Sequence, residues 1–169
     1  MNTILETWNE SSDESAIATL LSCCAAQRWA AALAEQRPFF NEDPLYAAAD
    51  AIWARMGEAD WMEAFRAHPR IGERKPAAAS TQSQSWSSQE QASVAEAQTQ
   101  ILIDLANGNR RYQELFGFTY IVCATGKSAD EMLDILDRRL ASDRVTELRE
   151  AAEQQRQITQ IRLRKWLHP

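Results

Sequence analysis

Histidine is scarce in this chain: there are two, His68 and His168, and the second is the penultimate residue, at an end expected to fray. Cysteine is nearly as rare. Cys23 and Cys24 are adjacent and Cys123 stands alone, so the three make neither a disulfide framework nor a recurrent metal-ligand spacing. Within apolar runs they read as small buried hydrophobes, which points to a reducing compartment. With no second histidine one helical turn from His68, three convergent metal ligands are not supplied, and the expectation is a site without metal or cofactor. Basic charge is not in excess either. Eighteen Lys and Arg against 24 Asp and Glu give a net charge of -6, which argues against general affinity for nucleic acid or for an anionic membrane surface. No window reaches transmembrane length, and the opening residues, with Glu6 and no basic residue before a long apolar run, do not resemble a signal peptide. Leu167-His168-Pro169 is not a peroxisomal address of the Ser-Lys-Leu type, so the expected location is the cytoplasm.

What is present is ordinary for a globular protein. Over 169 residues and 19.1 kDa, 45% of residues are hydrophobic and 25% charged, enough for one domain, residues 1–169, with a core of its own. Glycine and proline number five each, and the apolar spacing between them is helical. Residues 3 to 8 suit a short opening helix. Ser11 with Glu14 fits a capping box for the run from Ala16 to Ala34, read either as one long helix or as two separated by a kink near Ala25. Pro38 stops that pattern. Asp43-Pro44 reads as an N-cap with proline at the first helical position, opening a helix with Leu45, Ala48, Ile52, Trp53 and Met56 on its apolar face and Gly57 at its end. The next helix turns Trp61, Ala64 and Phe65 inward and carries His68 to its last position, where Pro69 and Gly72 force the backbone into a basic loop. Residues 70–86 form a long irregular segment, with Trp86 expected to anchor it. Ser87 with Glu90 caps a helix to about Asn107, which Gly108-Asn109 interrupts before a short helix through Tyr112, Leu115 and Phe116. Phe118 to Ala124 has strand propensity but nothing to pair with, so a buried extended or helical connector is expected. Gly126-Lys127-Ser128 is not a phosphate loop, because Tyr120 or Ile121 stands where the upstream glycine belongs. Ser128 with Glu131 caps a helix through Leu140. Asp143 caps a last helix to about Leu167, with Val145, Leu148, Ala152, Ile158, Ile161 and Trp166 inward and Gln155, Thr159 and Arg162 beside that face. The fold expected is all-α: a single-domain irregular bundle of about eight helices with a long loop after the His-Pro pair.

Chemistry points to His68, Glu90 and Arg162. Histidine titrates nearest neutrality and suits a proton donor or acceptor, a carboxylate can orient it or a ligand, and arginine holds an anion. Together they suit a small acidic substrate. Each also has a structural use: a histidine at a helix end can satisfy the last carbonyls, Glu90 can be a cap alone, and Arg162 can be solvated or ion-paired.

Several short stretches along nearly the whole chain stand out together. The marks are Cys24 with Trp29, Arg37-Pro38-Phe39, Phe65 through Gly72, and Ser87-Ser88-Gln89-Glu90-Gln91. Tyr120 through Ala124 with Gly126-Lys127-Ser128 follows, and then Glu153 through Leu163. Their order and spacing together make a resemblance to the 2-oxo-4-hydroxy-4-carboxy-5-ureidoimidazoline (OHCU) decarboxylases over nearly the whole chain. It implies a cofactor-free carboxy-lyase of urate (purine) degradation that forms (S)-allantoin, with a small-molecule substrate and a homodimer as its suggested assembly. It also implies catalytic roles for His68, as acid and proton donor, and for Glu90 and Arg162. A pocket would be lined by Pro69, by Ser87, Ser88, Gln89, Glu90 and Gln91, and by Ile121, Val122, Cys123 and Ala124. One departure is Arg70-Ile71, where many members have Asp-Leu after the His-Pro pair. Other readings are a helical protein-binding adaptor, or another cofactor-free lyase or hydrolase of a cyclic amide. An adaptor would expose a broad patch, whereas the decarboxylase would enclose a small polar cavity.

Overall fold

A computed structural model of the chain describes residues 2–70 and 99–169. Among the described residues the fold is all-α, with eight helices: α1 (Thr3–Glu10), α2 (Asp13–Cys23), α3 (Gln27–Ala34), α4 (Glu42–Trp53), α5 (Glu58–Arg66), α6 (Thr99–Phe116), α7 (Ala129–Leu140) and α8 (Arg144–Leu167). No helix among them is long and apolar enough to cross a membrane. The expected start of a helix at Ser87, the anchor at Trp86 and the loop from residue 71 lie outside the described residues. The chain divides into two compact units, Met1–Ala64 with Arg156–Pro169, and Phe65–Gln155.

In the first unit Trp8 and Trp29 each find a polar partner as well as a core. Trp8 donates to the Ala16 carbonyl at 3.1 Å and meets Trp166 edge-on at 5.6 Å. Trp29, fully buried, donates to the Ala49 carbonyl at 3.0 Å. Such contacts combine the large apolar area of the indole with satisfaction of its one N–H. Arg37 closes two helices at once: its guanidinium donates to the Trp8 and Ser11 carbonyls at the end of α1 and to the Ala34 carbonyl at the end of α3. Carbonyls at a helix end lack a full set of partners within the helix, so a half-buried cation there is well used.

Several local expectations shift by a turn. The cap of α2 is Ser12, which accepts from the Ser15 N–H, while Ser11 turns its hydroxyl back to the Trp8 carbonyl and closes α1. The run after Ala16 is two helices, broken at residues 24–26. α4 starts at Glu42 after Asn41, so Pro44 lies third in the helix, still within the turn where no N–H is required. Gly57 does not end α4, which closes at Ala54. It instead precedes α5, with its N–H taken by Asp60 and its carbonyl accepting from Trp61.

In the second unit α6 runs unbroken through Gly108, contrary to the interruption expected there. A Cβ at Gly108 would stand 2.5 Å from Leu136 Cδ2 of α7, so this glycine permits a close helix–helix approach. Packing decides its presence, not a break in the backbone. α6 ends at Gly117, whose φ of 82° is the left-handed conformation of a helix terminus and whose N–H returns to the Gln113 carbonyl. The segment from Phe118 to Ala124 is a buried irregular connector, almost every residue of it within the core. Tyr112, Phe116, Phe118 and Tyr120 stack beside Phe65 in one aromatic cluster. α7 opens with the capping box expected of Ser128 and Glu131, and Asp143 accepts from the Val145 and Thr146 N–H groups at the start of α8. Val145 does not face inward: it is 60% exposed in the first turn of α8.

Candidate active site

His68 lies two residues beyond the end of α5 instead of at its last helical position. Its N–H still reaches the Phe65 carbonyl at 3.1 Å, a tightened last turn that fixes where the ring leaves the backbone. The half-buried imidazole places Nε2 2.7 Å from Oε1 of Gln155. An amide oxygen can only accept, so this contact is a hydrogen bond when the ring carries its proton on Nε2. Pro69 is buried beside it, and Arg70 donates from Nε to Gln113 of α6 at 2.8 Å, with its Nη2 on the same oxygen.

The connector that contains Ile121, Val122, Cys123 and Ala124 belongs to the same unit and is held by charged and amide side chains. Arg139 Nη1 donates to the Ile121 carbonyl at 2.6 Å, Gln154 Oε1 accepts from the Cys123 N–H at 2.8 Å, and Lys127 Nζ donates to the Cys123 carbonyl at 2.8 Å. Arg139 is itself set by Glu147 at 2.7 Å, and Glu147 also accepts from the Tyr112 hydroxyl at 2.6 Å. All three side chains are buried, and the guanidinium lies over the Tyr120 ring at 4.9 Å. Burial pushes the Tyr112 and Tyr120 hydroxyls above the ordinary phenol range, so neither is a base near neutrality.

Arg162, in the first unit, is only 4% exposed, with Nη1 3.5 Å from the Cys23 carbonyl. It is therefore not a solvated surface arginine. Cys23 and Cys24 stand beside it, fully buried. Burial raises both thiols, Cys24 to about 12, against the opposing effects of a hydrogen bond with Thr159 and of the Arg162 charge. A thiol so protonated is not a nucleophile at neutral pH. Glu90, with Ser87, Ser88, Gln89 and Gln91, lies outside the described residues. Among the described residues no group of three His, Cys, Asp or Glu side chains could hold a metal ion.

Sequence reasoning singled out His68 and passed over its partner. Gln155 stood out only as a polar residue at helical spacing beside the apolar face of α8; its burial and its contact with the imidazole needed the structure. Arg139 and Glu147 gave no signal, since an arginine near the end of α7 and a glutamate in the first turn of α8 match the usual charge preferences of helix termini.

Comparison with known proteins follows the same outline. The family model for OHCU decarboxylase matches residues 9–164. The uric acid degradation bifunctional protein TTL of Arabidopsis thaliana is 33% identical over 144 residues, covering 85% of this chain; the chain spans only 44% of that protein's length. The 2-oxo-4-hydroxy-4-carboxy-5-ureidoimidazoline decarboxylase of Haloferax volcanii is 27% identical over 127 residues, 75% of this chain and 73% of its own. A crystal structure of OHCU decarboxylase in the presence of (S)-allantoin superposes with a TM-score of 0.77 at 29% identity, over 94% of this chain and 100% of that one. With one family model covering both compact units, the chain belongs to the OHCU decarboxylase family.

Proposed function

We propose that this chain decarboxylates OHCU to (S)-allantoin without a cofactor, with His68 as the acid, Glu90 and Arg162 as its catalytic partners, and the Pro69, Ser87–Gln91 and Ile121–Ala124 backbone as lining. The observation that carries the reading is the likeness, over 94% of this chain, to an OHCU decarboxylase crystallised in the presence of (S)-allantoin. The chemistry asked for is modest. The bond to the carboxylate carbon breaks, CO2 leaves, and the electron pair is drawn into the ring as an enol-like intermediate. The ring carbon that bears the ureido group then takes a proton on one face, which sets the product's handedness.

In this reading Arg162 holds the substrate carboxylate or a ring oxygen, and Glu90 accepts from ring or ureido N–H groups and restrains the imidazole. Because Nε2–H is committed to Gln155, the acid form of His68 carries its second proton on Nδ1, and that is the proton delivered. The connector supports a lining role too. Among the described residues, the N–H and carbonyl of buried Val122 make no hydrogen bond, while the Ile121 carbonyl and both backbone groups of Cys123 are already partnered. A buried backbone donor and acceptor side by side suit a cyclic amide or ureido group. Three buried free thiols fit a cytoplasmic location, and a homodimer is the assembly proposed.

The test is turnover of freshly made OHCU followed by the circular dichroism of (S)-allantoin, with spontaneous decay subtracted. His68→Gln and Arg162→Ala should each lose most of the enzymatic rate while staying folded. Near-normal, stereospecific rates in both would overturn the assignment.

A further inference from the structure

Gln155 is fully buried, and a buried primary amide is costly unless its polar atoms are paired. Packing alone would be served better by leucine or methionine at this point of α8. Its oxygen meets His68 Nε2 at 2.7 Å, at the short end of the N–H···O range. The preceding residue, Gln154, spends its own oxygen on the Cys123 N–H. Two consecutive glutamines of one helical turn thus clasp the two described segments that the proposed site draws on in this unit: the His68 ring and the connector.

We infer that Gln155 is a positioning residue: it holds the imidazole of His68 with the proton on Nε2, so that Nδ1 is the nitrogen that exchanges a proton with the reacting carbon. The inference rests on the decarboxylase reading for its kinetic consequence but not for its geometry. The acceptor oxygen fixes ring orientation and tautomer, and it stays in place whether the ring is neutral or charged. A ring flipped about Cβ–Cγ would turn a carbon toward the amide oxygen and forfeit the hydrogen bond, so the wrong orientation is disfavoured.

Two readouts test this. Gln155→Met, unbranched and of similar size, should lower kcat about 10- to 100-fold and leave KM within about threefold, since the group removed orients the acid and does not touch substrate. Gln155→Glu keeps an acceptor oxygen and should retain kcat within about threefold. The second readout is the imidazole 15N–1H spectrum of labelled protein above the titration of the ring. With two histidines in the chain, His168→Gln assigns His68. The wild type should show one tautomer, protonated on Nε2, and Gln155→Met a mixture. Unchanged kcat in Gln155→Met, a rise in KM alone, or a wild-type ring protonated on Nδ1 would overturn the inference. If Gln155→Met does not fold, Gln155→Glu decides: activity as low as that of His68→Gln overturns it. If the wild type turns over no OHCU, the decarboxylase reading fails, and the wild-type spectrum alone then upholds or overturns the Gln155 assignment.

Discussion

Replacing Glu147 by leucine should be among the most damaging single changes to the second unit, and the size of the effect follows from its contacts. One carboxylate oxygen, Oε2, accepts from both Arg139 Nε at 2.7 Å and the Tyr112 hydroxyl at 2.6 Å. Its removal leaves a guanidinium with 8% of its side chain exposed and no carboxylate, and a buried hydroxyl without its acceptor. Breaking a buried pair from one side costs about 3–5 kcal/mol, mostly the stranded charge. The hydroxyl shares that oxygen, so its loss is not an added sum. Arg139→Met strands the carboxylate instead and also releases the Ile121 carbonyl, for a similar cost. The double variant, Arg139→Met with Glu147→Leu, strands no charge. What it loses is the bond to Ile121 and that to Tyr112, about 1–3 kcal/mol. Urea unfolding followed by far-ultraviolet circular dichroism should therefore show a double variant more stable than either single one, with a coupling of at least about 3 kcal/mol. Hydrogen exchange of the α6 and α7 amides would place the loss in this unit. Additive single-variant costs, or a loss below about 1 kcal/mol for Glu147→Leu, would refute the view that this triad is an interdependent buried charge pair.

Gly108→Ala sets helix propensity, a gain of about 1 kcal/mol, against overpacking of fully buried Leu136, a cost of about 1–3 kcal/mol. A net loss is expected by thermal unfolding, and in a Leu136→Ala background the same substitution should become stabilising. Glu42 is held below the usual carboxylate range by hydrogen bonds from Asn2 and then His168. Its depressed pKa contributes stability above the ordinary carboxylate range that is lost as pH falls through the lowered value, so Glu42→Gln should flatten the acid limb of the stability curve and leave neutral pH less affected. Cys23 and Cys24, buried and protonated, should not react with a disulfide reagent at pH 8 until denaturant is added, and rapid labelling of the native protein would contradict their burial.

Helices were legible wherever a local signal and burial agree. The Ser128–Glu131 box, the Asp143 cap and the run of α8 to Leu167 are all in the residue pattern, because each cap is satisfied within a few residues. Gly108 and Gly57 misled for the opposite reason: what each does is decided by a neighbour, Leu136 in one case and Asp60 in the other, and glycine looks alike in both uses. His68 could be found by composition, since there are few histidines to choose among. The state of its ring could not, because it depends on an oxygen 87 residues away along the chain. Arg162 read equally well as solvated, and only its burial excludes that.

Near the two ends of the chain, one side chain binds both. Glu42 takes the Asn2 amide on Oε1 at 2.8 Å and the His168 ring on Oε2 at 2.8 Å, and Asn2 also donates to the Leu167 carbonyl at 2.9 Å. A short peptide could therefore join residue 169 to residue 2 with little rearrangement, and new termini could be opened elsewhere. In such a permutant the order of segments would change while the α1, α4 and α8 contacts stayed as they are.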